Sequence, residues 1–467
     1  MVATTPDSKP RRKHDLTEGS VTGHILRMWG PFAVAVVALL SAGLVDTFYL
    51  GNLGGADNPE LGTMALAAVG FAYPLTFLGN SANIGLGAGT MSAVSRANGA
   101  GDEAKGRRHA AAAILFALLV MTILVTVMYL LMPWVLTLLG AEGEVRASAL
   151  SYLAISLPGL AIVSVAMICN NILRAGGEAL MPSSIMILGA VINIILDPFL
   201  IFGWGPFPRL EVPGAALATV IGNTVAAVFG FYIVRYRRHA TDFANMGLRS
   251  IRHAWATVAS VGLPAAVTNM VVPAGTTLAV AAVARILGPE KPVAAFTLAS
   301  RAELLSVALL YALSACIGAV TGQNGGAGRT DRVEEAFRVC YRICLVWGTV
   351  AAIPMFLFAH QVADIFTNDP EVLAMAVPYF QIVPITIFAY GFVFISAAGF
   401  NALGRPIFGL VYTVIRSLVL FAPAVALGAM WGGLTGAFIG IAAANLASGV
   451  IAYLWSLRRA PMTAKAS

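Results

Sequence analysis

The chain has 467 residues, of which 58% are hydrophobic and only 11% are charged. With a mean hydropathy of +0.82, this composition excludes an ordinary water-soluble domain and indicates a polytopic membrane protein whose surroundings are the lipid bilayer. The formal net charge of +7 comes from basic residues spread over several loops rather than gathered on one face. We therefore expect no nucleic-acid binding.

In chain order, the first element is a polar segment, residues 1–25, which lacks an apolar signal core and is expected to form a cytoplasmic tail. Apolar stretches of roughly 20 residues, the length that spans a bilayer core, then recur about twelve times. Each is predicted to be a transmembrane helix. Their centres lie near Leu39, Phe77, Val120, Ile162, Leu188, Val225, Val272, Leu309, Val350, Ile387, Leu418 and Ile441.

Basic residues predict the orientation of these helices. On a twelve-helix count, most Lys and Arg residues fall in the two tails and in alternate loops, which places both termini in the cytoplasm of a multi-pass plasma-membrane protein. The predicted units are an amino-terminal lobe at 26–238, a cytoplasmic linker at 239–254, a carboxyl-terminal lobe at 255–459 and a tail at 460–467.

The two halves of the chain resemble each other. The segment from Gly214, GAALATVIGNTVAAVFGFYIVRYRR, is similar to GAFIGIAAANLASGVIAYLWSLRR from Gly436, and Pro31 aligns with Pro264. Six helices is an even number, so the repeats are parallel and related by a pseudo-two-fold axis along the membrane normal. The fold class is therefore all-α, with two six-helix lobes around a central cleft, a design suited to alternating access.

Two acidic residues break this internal symmetry. Asp197 lies in the apolar stretch NIILDPFLIFG, and Asp197-Pro198 aligns with Ala422-Pro423, so the second half keeps the proline and lacks the acid. Asp46 also aligns with apolar residues of the second half. Because a repeat kept for packing alone would treat its halves alike, this asymmetry predicts a function for the first lobe.

The chemistry around the two acids indicates a cation site. A carboxylate at the centre of a membrane helix costs roughly 2.5–3.5 kcal/mol, and we expect no Lys or Arg inside the first-lobe helices to offset it. A proton or a hard cation is the natural partner, and Asn193, one turn before Asp197, can add an amide oxygen. The alternative is that both acids lie near water at helix ends or only hydrogen-bond neighbouring helices.

At these residues the sequence resembles the multidrug and toxic compound extrusion (MATE) transporters, over nearly the whole chain. The match is carried by VDTFYLGNLG around Asp46, GLGAGTMSAVSRANGAGD from Gly85, NNILRAGGEALMPS from Asn170, NIILDP from Asn193 and GAALAT from Gly214. The resemblance implies twelve helices in two lobes and export of organic compounds in exchange for inward H⁺ or Na⁺.

The resemblance also implies the site residues. The proton-coupling or cation site consists of Asp46, Asn193, Asp197, the Ala215 carbonyl and the Thr219 hydroxyl. Na⁺ would be bound through Asp46, Asn193, Asp197 and Thr219. A proline that bends the first helix matches Pro31.

The second lobe departs from some family members, because its seventh and tenth helices contain no acid. This places the chain closest to the DinF-like branch of the family, with ion coupling confined to the first lobe. Four charged residues do lie within or near second-lobe helices, and we expect them to stabilise that lobe by pairing rather than to transport ions. These residues are Arg285, Arg301, Glu303 and Arg416.

The predicted function is secondary active antiport by a monomer, without a cofactor and with H⁺ or Na⁺ as the coupling ion. Small organic compounds, cationic or amphipathic, are the expected substrates. A flippase for lipid-linked precursors is the nearest alternative, but it should line the cleft with cationic residues from both lobes. An intramembrane enzyme is the least favoured, since no histidine is expected at membrane depth to act as a base.

Overall fold

A computed structural model of the protein describes residues 15–55, 58–244, 246–364 and 369–465, with the side chains of residues 59, 299–306 and 461–465 outside the description. Regular structure within these ranges is entirely helical. The α-helices are α1 (Val21–Gly51), α2 (Pro59–Gly99), α3 (Glu103–Leu138), α4 (Gly143–Ala175), α5 (Leu180–Phe202), α6 (Val212–Tyr232), α7 (Leu248–Leu287), α8 (Lys291–Gly326), α9 (Thr330–Leu357), α10 (Ala359–Asp364), α11 (Pro370–Ile382), α12 (Ile387–Ala402), α13 (Pro406–Val414) and α14 (Ala422–Lys465).

The described residues contain 11 helical stretches long and apolar enough to cross a membrane. One of them, Pro406–Ala460, has 55 residues and joins α13, a π-helical turn at Ile415–Phe421 and α14. The backbone is not helical at Gly432 and Gly433, where α14 bends. A Cβ atom on Gly428 would lie 2.1 Å from the carbonyl oxygen of Gly436, so the chain turns back on itself there. This stretch contains two membrane crossings, which confirms the predicted twelve-helix fold.

The first helices are positioned by caps and by interior prolines. The Ser20 hydroxyl caps α1 by accepting from the Gly23 amide at 3.2 Å, and α1 begins at Val21, five residues before the predicted start of the first lobe. Pro31 lies inside α1, where a missing N–H weakens the helix and favours a bend. Helix α7 begins at Leu248, inside the predicted linker at 239–254.

Helices α1 to α6 pack mainly on one another, and the two halves of the chain meet where α2 contacts α7 and α8 and where α1 contacts α8. Between these helices lies a cavity of about 800 Å³, lined by residues of both halves. This volume falls in the range of sites for drug-sized ligands.

Contacts at one end of the bundle close this cavity on the side of the amino terminus. The Gln323 side chain of α8 donates to the Ala175 carbonyl at the end of α4, at 2.6 Å, and accepts from the Leu16 amide at 3.1 Å. A Cβ atom on Gly99 would lie 1.9 Å from the Gln323 carbonyl oxygen. The ends of α2, α4 and α8 are therefore held together, with the segment before α1 bound across them.

Candidate functional site

Three helices of the first half bring four of the predicted site residues together. Asp46 lies on α1, Asn193 and Asp197 lie one turn apart on α5, and Thr219 lies on α6. Asp197 is fully buried and Asn193 is 5% exposed, whereas Asp46 and Thr219 are half-buried. Each acid lies five residues before the last residue of its helix, and the burial places both inside the helix bundle rather than on its surface.

A chain of hydrogen bonds connects the four side chains. The Asn193 amide nitrogen donates to Asp197 Oδ1 at 3.4 Å and to Thr219 Oγ1 at 3.2 Å. The Thr219 hydroxyl donates to Asp46 Oδ2 at 3.5 Å. The Asp46 and Asp197 carboxyls are also close enough to interact electrostatically.

Each carboxyl keeps an oxygen without a hydrogen-bond partner. Asp46 Oδ1 and Asp197 Oδ2 are both buried and unpartnered, and no basic residue in the described part of the chain forms an ion pair with either acid. Unpaired buried carboxylates are costly. A positive species between the two acids would supply the missing partner.

The donor set fits either a proton or a small hard cation. A proton shared by Asp46 and Asp197 can be held with the hydrogen bonds as they stand. Na⁺ would need oxygen ligands, so Asn193 would have to turn its amide oxygen toward the acids to join the ligands that Asp46, Asp197 and Thr219 provide. Both species satisfy the unpartnered oxygens.

The close packing of α5 against α6 sets this geometry. A Cβ atom on Gly222 would lie 2.6 Å from the Gly189 carbonyl oxygen and 3.3 Å from the backbone nitrogen of Asn193. Only glycine allows the two backbones to approach this closely. Ala215 is 2% exposed and lies one turn before Thr219 on α6.

The site opens into the cavity between the two halves. Asp46, Asn193 and Thr219 line the cavity, whereas Asp197 lies behind them. Tyr152 of α4 also lines the cavity, and its hydroxyl is close enough to both acids to interact with them electrostatically. Sequence reasoning missed Tyr152, although its place on the cavity-facing stripe of α4 could have indicated it.

The prediction that the first-lobe helix interiors hold no Lys or Arg is wrong. Arg174, in the last turn of α4, is 8% exposed and lines the cavity. A crossing of roughly 20 residues centred near Ile162 would end before Arg174, but α4 continues to Ala175 and α8 covers its end. The acids still lack a basic neighbour, since Arg174 stacks on Phe32, which is 14 positions and about 21 Å along α1 from Asp46.

Among the four charged residues of the second half, Arg416 has the best-defined surroundings. It is 5% exposed, donates to Asn445 Oδ1 at 3.1 Å and lies over the Tyr390 ring at 3.3 Å from its centre. Arg285 is exposed in the last turn of α7. The side chains of Arg301 and Glu303 lie outside the described residues, so the predicted pairing of Glu303 stays a prediction.

Comparison with known proteins gives consistent matches in sequence and in structure. The MatE family model matches residues 31–199 and 264–427. A protein named "FAD transporter" from Shewanella oneidensis is 31% identical over 96% of both chains. The multidrug export protein MepA of Staphylococcus saprophyticus is 25% identical over 92% of each.

Two solved structures are similar over nearly their whole length. One is the outward-facing conformation of a multidrug resistance MATE family transporter, with a TM-score of 0.90, 25% identity and coverage of 98% of this chain and 100% of that one. The other is the Vibrio cholerae MATE transporter VcmN in its bent form, with a TM-score of 0.86, 26% identity and coverage of 95% and 98%.

Proposed function

Because the chain belongs to the MATE family of multidrug and toxic compound extrusion transporters, and is thus a transporter rather than an enzyme, we propose that it is a secondary active antiporter. It exports small organic compounds from the central cavity in exchange for H⁺ or Na⁺ entering at Asp46 and Asp197. Its relatives are named for multidrug export and for FAD transport, which supports an organic substrate. The proposed location is the plasma membrane, with both termini in the cytoplasm.

One observation carries the proposal. Two buried carboxyls without basic partners share a hydrogen-bonded cluster with Asn193 and Thr219, and this cluster opens into a cavity of about 800 Å³. A cation entering the cluster removes the cost of buried charge, which can change the relative stability of two helix packings. Substrate and cation then compete because each favours a different conformation of the same cavity.

The driving force follows from the charge that moves. Exchange of one monovalent organic cation for one proton moves no net charge, so only the chemical gradient drives it, at roughly 1.4 kcal/mol per pH unit. A neutral substrate would add about 2.3 kcal/mol per 100 mV of membrane potential.

The flippase alternative receives less support. Among the described residues that line the cavity, Arg174 is the only Lys or Arg, whereas a polyanionic lipid headgroup would be expected to need cations from both lobes. Arg416 of the second half is occupied by Asn445 and Tyr390.

The test is transport in proteoliposomes under pH and Na⁺ gradients imposed separately, with ethidium as the fluorescent substrate. Ethidium movement driven by one gradient, and lost when that gradient is collapsed, would support the proposal and identify the ion. Movement driven by neither gradient would refute ion-coupled antiport.

A further inference from the structure

The cavity has charged side chains at opposite ends. Of the described residues that line it, only Asp46 and Arg174 carry a formal charge. Arg174 lies at the closed end, one residue before Ala175, whose carbonyl accepts from Gln323. The cavity is therefore acidic near the coupling site and basic at its closed end.

Arg174, like Arg416, is a buried arginine that no described acid balances, but of these two only Arg174 lines the cavity. None of the ion pairs in the described part of the chain includes Arg174. Its one hydrogen bond there is from Nη2 to Asn171 Oδ1, at 3.1 Å. Its Nε is buried without a partner, and a buried guanidinium left partly unsatisfied is expensive to keep.

Three neighbouring residues, Phe32, Asn170 and Asn171, complete a binding site around Arg174. The Phe32 ring lies 4.4 Å from the centre of the Arg174 guanidinium and also lines the cavity. Asn170 and Asn171 line the same end. An arginine, two amides and an aromatic face can together bind a planar aromatic compound with a phosphate or carboxylate group.

We infer that Arg174, with Phe32 and the two asparagines, forms an anion-binding subsite, and that the transported compounds include amphipathic aromatic molecules with an anionic group. The Arg174 guanidinium binds that group through the N–H donors that its hydrogen bond to Asn171 leaves free, as arginine does with oxyanions. This inference rests on the proposed transport function and specifies its substrate class. It adds an anionic group to the expectation that the substrates are cationic or amphipathic organic compounds.

A purely structural role is the competing explanation. A cation in the last turn of a helix is favoured by the helix dipole, and the contact with Phe32 adds a cation–π interaction. Neither contact uses Nε or explains why Arg174 lines the cavity. If Arg174 only braced the end of α4, its replacement would alter stability but not the preference among ligands.

Two probes that differ in one group separate these explanations. Riboflavin 5′-phosphate and riboflavin share the same ring system, and only the former carries a phosphate. Binding of each is measured by fluorescence to the purified protein in nanodiscs of neutral phosphatidylcholine, so that lipid anions do not compete. We expect the wild-type protein to bind the phosphate form at least about tenfold more tightly, the effect of one charge-assisted hydrogen bond.

Arg174→Gln should bring the two affinities within about twofold of each other, and Arg174→Lys should retain part of the preference. Arg416→Gln is the matched control, because it removes a buried arginine that lies outside the cavity lining, and it should retain the wild-type preference. If Arg174→Gln does not fold, the wild-type comparison and Arg174→Lys still decide the question.

Equal binding of the two probes by the wild-type protein, or an unchanged preference in Arg174→Gln, would overturn the inference. Gradient-driven ethidium transport by the same purified protein, reconstituted in proteoliposomes, keeps this separate from the proposed function. If ethidium is transported and the phosphate preference is absent, only the anion subsite fails. If no gradient drives transport of either ethidium or riboflavin 5′-phosphate, antiport itself fails.

Discussion

Replacing Asp197 by asparagine tests whether the buried acids bind the coupling ion. Asp197 is fully buried, its Oδ2 has no hydrogen-bond partner, and Asp46 is close enough to interact with it electrostatically. The change keeps the shape of the side chain and removes its charge. We expect Asp197→Asn to abolish gradient-driven efflux while the protein still inserts into the membrane.

The expected magnitude follows from the cost of the charge. An unneutralised carboxylate at membrane depth costs roughly 2.5–3.5 kcal/mol, and we expect a bound cation to recover a similar amount. Loss of one carboxylate should therefore weaken cation binding about a hundredfold. The Tm of the wild-type protein should rise with the coupling ion, and that of Asp197→Asn should not.

Thermal unfolding in detergent over a series of pH values and Na⁺ concentrations measures this shift, and vesicle efflux measures transport. Asp46→Asn should behave in the same way, and the double variant should be no worse than either single one, because both acids hold one ion. Asp331→Asn, an exposed acid in the first turn of α9, is the control and should match the wild type. Full efflux activity in either single variant would exclude the site from the mechanism.

Three further predictions concern the helices around the site. Pro31→Ala should favour a straight α1 by up to about 3 kcal/mol, so transport should slow while the cation-dependent Tm shift remains. Loss of both transport and the Tm shift would mean that Pro31 shapes the ion site itself. Gly222→Val should lower the free energy of unfolding by about 1–3 kcal/mol through overpacking and should weaken cation binding. Gly70→Ala, where a Cβ meets nothing within 4 Å, should do neither. An unchanged Tm for Gly222→Val would contradict the close packing. Glu303→Gln should lower the Tm without affecting efflux, and a normal Tm with lost transport would assign Glu303 to the transport path.

The architecture and the acid cluster were largely predictable because each produces a strong sequence signal. Twelve apolar stretches predict twelve crossings even where the structure runs two of them together in Pro406–Ala460, which is divided inside α14 at Gly432 and Gly433. Asp46 and Asp197 were identifiable because membrane helices rarely contain unpaired acids. Their proximity was a hypothesis, since α1 and α5 are distant in sequence.

Arg174 was missed because hydropathy alone does not show where a membrane helix ends. A helical pattern could have indicated Arg174, because the cavity side of α4 carries residues at roughly helical spacing. These residues are Tyr152, Val163, Met167, Asn170 and Arg174. Asn170 and Asn171 extend that stripe in polar residues up to the arginine. What no sequence pattern supplies is the cover over Arg174, which comes from α8 and from the segment around Leu16.

Helix α1 connects the two charged ends of the cavity. It carries Asp46 at the ion site, Phe32 against Arg174, and Pro31 next to Phe32. A bend at Pro31 that accompanies neutralisation of Asp46 would move Phe32 relative to the guanidinium, because the rest of α1 moves as a rigid rod. On the proposed mechanism, ion binding at one end of the cavity would thus alter the anion subsite at the other end without direct contact between the two ligands. The coupling energy between ion binding and substrate binding would therefore depend on the Arg174–Phe32 contact as well as on the acids.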